Sequence, residues 1–280
     1  MKKIIVVLDG LRFRQNAVDY AIAVTKSEKS HLVGVFLEDF TYRSYGFYEL
    51  VDEAGKVTDQ RITALSEHDK NLRDNAVARF EEICQRAGLN YSIHRNKNIA
   101  IEELLHESIY ADLLVIDAHE SFTRSQEEAP SRFIRHLLAD AACPVLMVPD
   151  PYQPIGKIAL LFDSSPASVQ AVRMFDYLLP GMKQLPIEVI TVKSAAEDFH
   201  LPDGKLMKEF MKRHFPDAHY NVLKGIPEDE IVQLVNEMNS NTLIVLGAYA
   251  RSGISRWLRP SMADILVEGT SVPLFIAHSK

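Results

Sequence analysis

The residues best placed to do chemistry lie in two stretches of the C-terminal half, Asp163-Ser164-Ser165 and the run TLIVLGAYARSGISRWLRPS from Thr242 to Ser261. In the second, the apolar run Leu243 to Leu246 stops at Gly247 and gives way to small and polar residues that include Arg251, Ser252 and Gly253. Arg259-Pro260-Ser261 then reads as a helix start. A strand feeding a Gly/Ser-containing loop and a helix aims backbone N–H groups at an anion. Arg251 and Arg256 either meet that anion or face solvent. A related stretch runs from Leu113 through Asp117 to Ser131, and Asp9-Gly10-Leu11 is a poorer counterpart of Asp163-Ser164-Ser165.

Other chemistries find less support. His94 and His119-Glu120 lack paired spacing such as HExxH, so hydrogen-bonded or exposed histidines are expected and no metal site is assigned. A Gly-x-Ser-x-Gly elbow is missing, and no catalytic residue is assigned. Trp257, the one tryptophan, reads as a packing anchor or an interface contact.

The elements that must position these residues are legible in the rest of the chain. With 280 residues, 47% hydrophobic and 25% charged, the composition is that of a soluble protein with two domains of ordinary size. A net charge of −7 leaves no basic excess to neutralise nucleic-acid phosphates. Cys84 and Cys143 cannot build a disulfide framework and read as buried thiols of a reducing compartment. No apolar stretch is long enough to span a membrane or to act as a signal peptide, so the expected location is cytoplasmic.

Lys3 to Leu8 is a β-branched run of the kind buried in parallel sheets, and it delivers Asp9. A helix from Asn16 and a strand over 32–37 complete a βαβ unit. Residues 39–58, rich in Phe and Tyr, fit neither the helix nor the strand period. This insert either covers a ligand or partner surface or is a loop pinned to its own domain by its rings. A long helix follows over 59–87, closed by Gly88; then come a strand at 91–94, a helix over 101–110, a strand at 113–116 ending in Asp117, a helix over 131–141 and a strand at 144–148. The segment 150–156 holds Pro151 and Pro154 after Pro149 and reads as a linker. Beyond it the pattern restarts: a strand from Lys157 to Asp163, a helix over 168–179, a strand at 187–192, a helix over 206–215, a strand at 219–223, a helix over 227–238, the strand at 243–246, a helix from Ser261 and a strand at 273–277.

The halves repeat each other in detail. Asp117 to Pro130-Ser131 and Gly247 to Pro260-Ser261 have the same spacing, and each following helix leads to a Pro and a closing apolar strand. The expected architecture is α/β: two tandem doubly wound domains, 1–149 and 157–280, related by pseudo-twofold symmetry, each built on a five-stranded parallel sheet. Ligands belong at the carboxyl ends of such strands, near the topological switch point.

These residues carry a resemblance. The aspartates Asp9 and Asp163, the signatures ADLLVID and NTLIVLGAYARSG, and the endings SRFIRHLLADAACPVLMVP and SMADILVEGTSVPLFIAHS are similar to those of the universal stress protein family in its tandem form. The resemblance covers nearly the whole chain apart from the insert and the linker. It implies a strand order of 3-2-1-4-5 in each half. It also implies that Pro144–Val148 and Pro273–Ala277 pair within the chain, hiding two apolar edges, and leaves a homodimer of such chains open as a further partner arrangement. Some members bind ATP through Gly-x2-Gly-x9-Gly-Ser/Thr, with the strand-end aspartate at the adenosine end; others lack the motif and do not bind it.

By that resemblance the nucleotide-binding candidates are Asp163, Ser165, Gly247, Arg251, Ser252, Gly253 and Ser261, with Asp9, Asp117 and Ser131 as a degenerate counterpart. Asp163 either bonds a ribose or base or caps the next turn; for Asp9 the cap is the expectation. In the second copy Ala250 and Pro260 replace motif glycines, and Pro260 has no N–H to offer a phosphate. In the first copy the motif positions hold Asp117, Glu120 and Pro130, with Glu127 and Glu128 nearby. Carboxylates there repel a triphosphate by a few kcal/mol at an effective dielectric of ~20. Three readings result: a non-enzymatic stress-response protein with degenerate nucleotide loops, an ATP binder (at most a slow ATPase) with one working C-terminal site, or an α/β enzyme or binder for another small molecule with the insert as a lid.

Overall fold

The computed structural model describes residues 1–39, 42–51, 56–124, 127–193, 204–247, 262–269 and 271–277. In the first half, runs of β-branched and leucine residues with both faces covered make β1 (Lys3–Asp9), β2 (His31–Leu37), β4 (Leu113–Asp117) and β5 (Val145–Val148), while the edge strand β3 (Tyr91–Asn96) is more polar and only partly buried. The helices between them are α1 (Gln15–Glu28), the short α2 (Phe47–Leu50), α3 (Asp59–Arg86), α4 (Ala100–Ile109) and α5 (Arg132–Asp140). The second half repeats the order with β6 (Lys157–Leu161), α6 (Pro166–Leu178), β7 (Ile187–Lys193), α7 (Gly204–His214), β8 (His219–Lys224), α8 (Pro227–Glu237), β9 (Thr242–Gly247), α9 (Met262–Gly269) and β10 (Leu274–Ala277).

All ten strands form one sheet of order β3-β2-β1-β4-β5-β10-β9-β6-β7-β8. Each half has the expected 3-2-1-4-5 order with parallel neighbours. The halves meet through β5 and β10, paired antiparallel with Met147 opposite Leu274 and Val145 opposite Ile276. Because strand direction reverses there, the carboxyl edge of one half continues as the amino edge of the other. The two crevices therefore open on opposite edges of a single sheet.

Alternation along the strands divides the core between the two faces of the sheet. Ile4, Val6 and Leu8 pack with α1, α3, α6 and α7 on one face. Ile5 and Val7 pack with α4, α5, α8 and α9 on the other. Each cluster draws residues from both halves, so neither core ends at the junction. Away from the sheet, the Glu28 carboxylate receives Lys2 Nζ at 3.1 Å and the backbone N–H of Gly181 at 3.0 Å, joining α1 to the turn after α6. The Tyr20 and Tyr152 rings meet edge-on at 4.7 Å, seating the proline-rich segment on α1.

Element ends deviate from expectation where side chains intervene. The strand expected to reach Asp163 stops at Leu161, because the chain turns through Ser164 at φ 62° and the Asp163 carboxylate accepts the Ser165 N–H at 2.9 Å. The helix expected from Ser168 starts at Pro166, where Ser165 caps it and the proline ring presets φ at the first turn. The 39–58 insert contains α2 and a bridge between Val51 and Val57. It is fastened to α3 by Ser44 N–H to Asp69 at 3.2 Å, Tyr45 to Ser66 at 3.1 Å and the Arg61 guanidinium to Glu49 O at 2.6 Å. Tyr42 and Tyr45 are buried in that contact.

Candidate functional site

Each half places its switch-point crevice between its first and fourth strands. In the C-terminal half these are β6 and β9, which pair in parallel with Leu160 opposite Val245. Asp163 emerges just past β6 and is exposed. One of its oxygens accepts the Ser165 N–H, while Ser165 Oγ accepts the Ser168 N–H at 3.2 Å and caps α6. Desolvation pushes the Asp163 pKa up, but the hydroxyls of Ser165 and Ser168 and the Ser165 N–H outweigh it, leaving the carboxyl below its ordinary range. Asp163 thus acts as a turn cap, a charged one that faces solvent.

Gly247 ends β9 beside this turn. A Cβ there would lie 2.3 Å from the Ala167 carbonyl carbon and 2.7 Å from Ser168 N, both backbone atoms of the first turn of α6. The glycine read as part of an anion loop is therefore required by the approach of strand to helix. Arg251, Ser252, Gly253 and Ser261, with Ala250, Arg256, Trp257 and Pro260, lie outside the described residues.

The corresponding crevice of the N-terminal half is filled from within. Asp9, Asp117, Glu120 and Ser131 are all nearly inaccessible, at 1–3% exposure. Asp9 caps as expected, accepting the Leu11 N–H at 2.8 Å. Asp117 accepts Asn16 Nδ2 at 2.6 Å and the His119 N–H at 2.8 Å, and Asn16 also donates to Pro149 O at 2.8 Å. The Asp117 side chain thus ties the end of β4 to the start of α1, and through Asn16 to the residue after β5. Ser131 Oγ donates to Glu120 O at 2.6 Å and accepts the Ile134 N–H at 3.2 Å, so the hydroxyl that would meet a phosphate is already engaged. The Phe122 and Phe133 rings, 4.5 Å apart, pack the loop onto α5.

Sequence reasoning assigned Asp9, Asp117 and Ser131 to this crevice, but left out Asn16, Arg14 and Tyr42. In sequence Asn16 marks only the start of the first helix, and Tyr42 sits in an aperiodic insert with no rule to aim it. His94 bonds Glu107 at 2.6 Å, as expected of a hydrogen-bonded histidine. Among the described residues, no group of three or more His, Cys, Asp or Glu could hold a metal ion.

No family model and no curated protein sequence matches the chain. Solved structures do. A universal stress protein from Archaeoglobus fulgidus DSM 4304 is similar over 98% of this chain and 98% of its own, with a TM-score of 0.67 at 14% identity. The fold is that of a tandem universal stress protein. A putative universal stress protein from Pseudomonas aeruginosa UCBPP-PA14 covers 99% of this chain and 93% of its own, with a TM-score of 0.60 at 16% identity. A functionally unknown protein from Pseudomonas aeruginosa PAO1 is similar to the same extent, at 15% identity, a TM-score of 0.60 and 92% of its own chain. At such identities the likeness speaks for the fold, including its tandem layout, and the function must come from the crevices. No helix among the described residues is long and apolar enough to cross a membrane.

Proposed function

We propose that the chain is a non-enzymatic, cytoplasmic stress-response protein of universal-stress type, with domains 1–149 and 157–280 joined by the 150–156 linker, whose N-terminal nucleotide site has been lost. One observation carries this reading: in the N-terminal crevice the equivalents of the nucleotide-facing groups are buried and bonded to the protein itself. Asp117 is held by Asn16 and the His119 N–H, Ser131 Oγ by Glu120 O, and Tyr42 of the insert stands over Asp9. A triphosphate entering there would have to displace these bonds and face the carboxyl groups of Asp9, Asp117 and Glu120 at low dielectric.

A second reading, an adenine nucleotide held by the C-terminal crevice alone, is favoured by the open, charged Asp163 turn. Isothermal titration of ATP against the full chain separates the two. Non-enzymatic function with degenerate loops predicts no micromolar binding and no phosphate release. Micromolar binding of one nucleotide per chain, lost in both Asp163→Ala and Ser261→Ala, would replace it with the second reading.

A further inference from the structure

The closed N-terminal crevice contains an electrostatic problem that the cap and loop bonds do not solve. Asp9 is 1% and Glu120 3% exposed; Glu120 Oε2 has no hydrogen-bond donor, and Asp9 Oδ2 has none at full hydrogen-bond geometry, although the Tyr42 hydroxyl approaches the Asp9 carboxyl. They stand at the carboxyl ends of the adjacent strands β1 and β4. The Asp9 charge is the strongest neighbouring charge acting on Glu120. A buried carboxylate oxygen lacking a donor is costly, and each of two neighbouring buried carboxylates raises the cost of ionising the other. A single proton repairs both faults: it neutralises one acid and makes it the donor the other lacks.

We propose that Asp9 and Glu120 hold one proton between them, and that this proton latches the N-terminal crevice shut. The surroundings fit a latch. Arg12 and Arg14 approach from the β1–α1 loop, Arg73 from α3, Tyr42 from the insert, and Asp117 with His119 from the end of β4. Arg14 Nε lies 3.8 Å from Asp117 without a hydrogen bond; the Arg14 charge favours ionised Glu120 and those of Arg12 and Arg73 favour ionised Asp9, but burial outweighs them. Arg73 presses on Gly10, where a Cβ would come within 2.8 Å of its Cγ. Arg12 reaches Arg124 O at 2.6 Å, closing the crevice with the loop after β4. Burial, with the Asp9 charge second, pushes the Glu120 pKa up to about 7, and burial raises that of Asp9.

The sign follows from linkage. The folded pair binds its proton more tightly than the unfolded chain does. That contribution to stability is therefore complete below the ordinary carboxyl range and is lost as pH rises through about 7. Above this pH a second buried charge can be relieved only by hydration, which requires the loop 118–124 and the insert segment 42–51 to lift.

Hydrogen exchange of the full chain between about pH 5 and pH 9, corrected for intrinsic rates, tests the latch. Peptides covering 118–124 and 42–51 should open more by about tenfold per pH unit between the ordinary carboxyl range and about pH 7 and level off above it, while peptides of β9 and β10 stay unchanged. Glu120→Gln, which keeps the shape and removes the titration, should flatten that dependence, and Asp9→Asn should do the same. A wild-type profile without a slope, or a slope that survives both substitutions, overturns the proposal. Should the variants fold poorly, the infrared carbonyl band of a protonated carboxyl in the wild type decides: present at neutral pH and lost in alkali supports the shared proton, and its absence at neutral pH refutes it.

Discussion

Leu146 of β5 faces Phe275 of β10 across the antiparallel pair that joins the two halves, and both are fully buried. The Phe275 ring also meets Phe175 of α6 edge-on at 5.6 Å. The seam between the halves is therefore part of a continuous core. Phe275→Ala should cost about 3–5 kcal/mol, the range for emptying a buried aromatic site, and both halves should unfold together. A denaturant titration followed by probes placed in each half checks this; two separate transitions would contradict it.

Gly247 makes a different kind of contact, with backbone on both sides. Gly247→Ala would force β9 and the first turn of α6 apart, since the added methyl meets Ala167 and Ser168 main-chain atoms that cannot rotate away. The expected loss is about 1–3 kcal/mol, measurable as a lower denaturation midpoint without any nucleotide present. A neutral result would return this glycine to a purely ligand-facing role.

Ser165 caps α6 and holds the Asp163 turn together. Ser165→Ala should destabilise the fold by about 1 kcal/mol, and Ser165→Asp should recover most of it because a carboxylate can accept the same N–H. Thermal midpoints of the three proteins are the comparison.

Glu107 reaches across from α4 to His94 at 2.6 Å and Lys3 at 3.0 Å. Desolvation raises its pKa, but the bonds to His94 and Lys3 prevail and hold the carboxyl below its usual range. Its stabilisation is therefore present above the ordinary glutamate pKa and fades as pH falls through the lowered folded value. Glu107→Gln should lower the thermal midpoint at neutral pH and much less below about pH 4.

Cys84, on α3, is fully buried, and burial pushes its thiol pKa up to about 12. Thiolate is the reactive form, so alkylation of Cys84 in the native protein should be negligible near neutral pH and rapid in denaturant. Peptide mapping after iodoacetamide treatment reads this out directly.

Much of the fold was legible in the chain itself, because the signals are local and periodic. Runs such as Ile4 to Leu8 and Leu243 to Leu246 alternate between two buried faces, and Pro and Gly punctuate their ends. The repeat of Asp117–Ser131 by Gly247–Ser261 made the tandem layout readable without any contact information. Asp9 as a turn cap and His94 as a hydrogen-bonded residue were likewise within reach, since each bonds to groups of an element that the pattern already places.

Tertiary structure decided what those residues face. Asp9 and Asp163 stand at the same place in the repeat and cap the same kind of turn, yet one is buried and the other exposed. The difference comes from Tyr42, brought over Asp9 by an aperiodic insert clamped to α3, from Arg73 of α3 itself, and from Glu120, folded inward by its own loop. Burial and mutual charge depend on through-space distances between segments far apart in the chain, which no spacing rule encodes. The order of strands within each half followed from the family resemblance that the sequence carries; whether a crevice is open or sealed did not, because it depends on side chains that meet only after the sheet has formed.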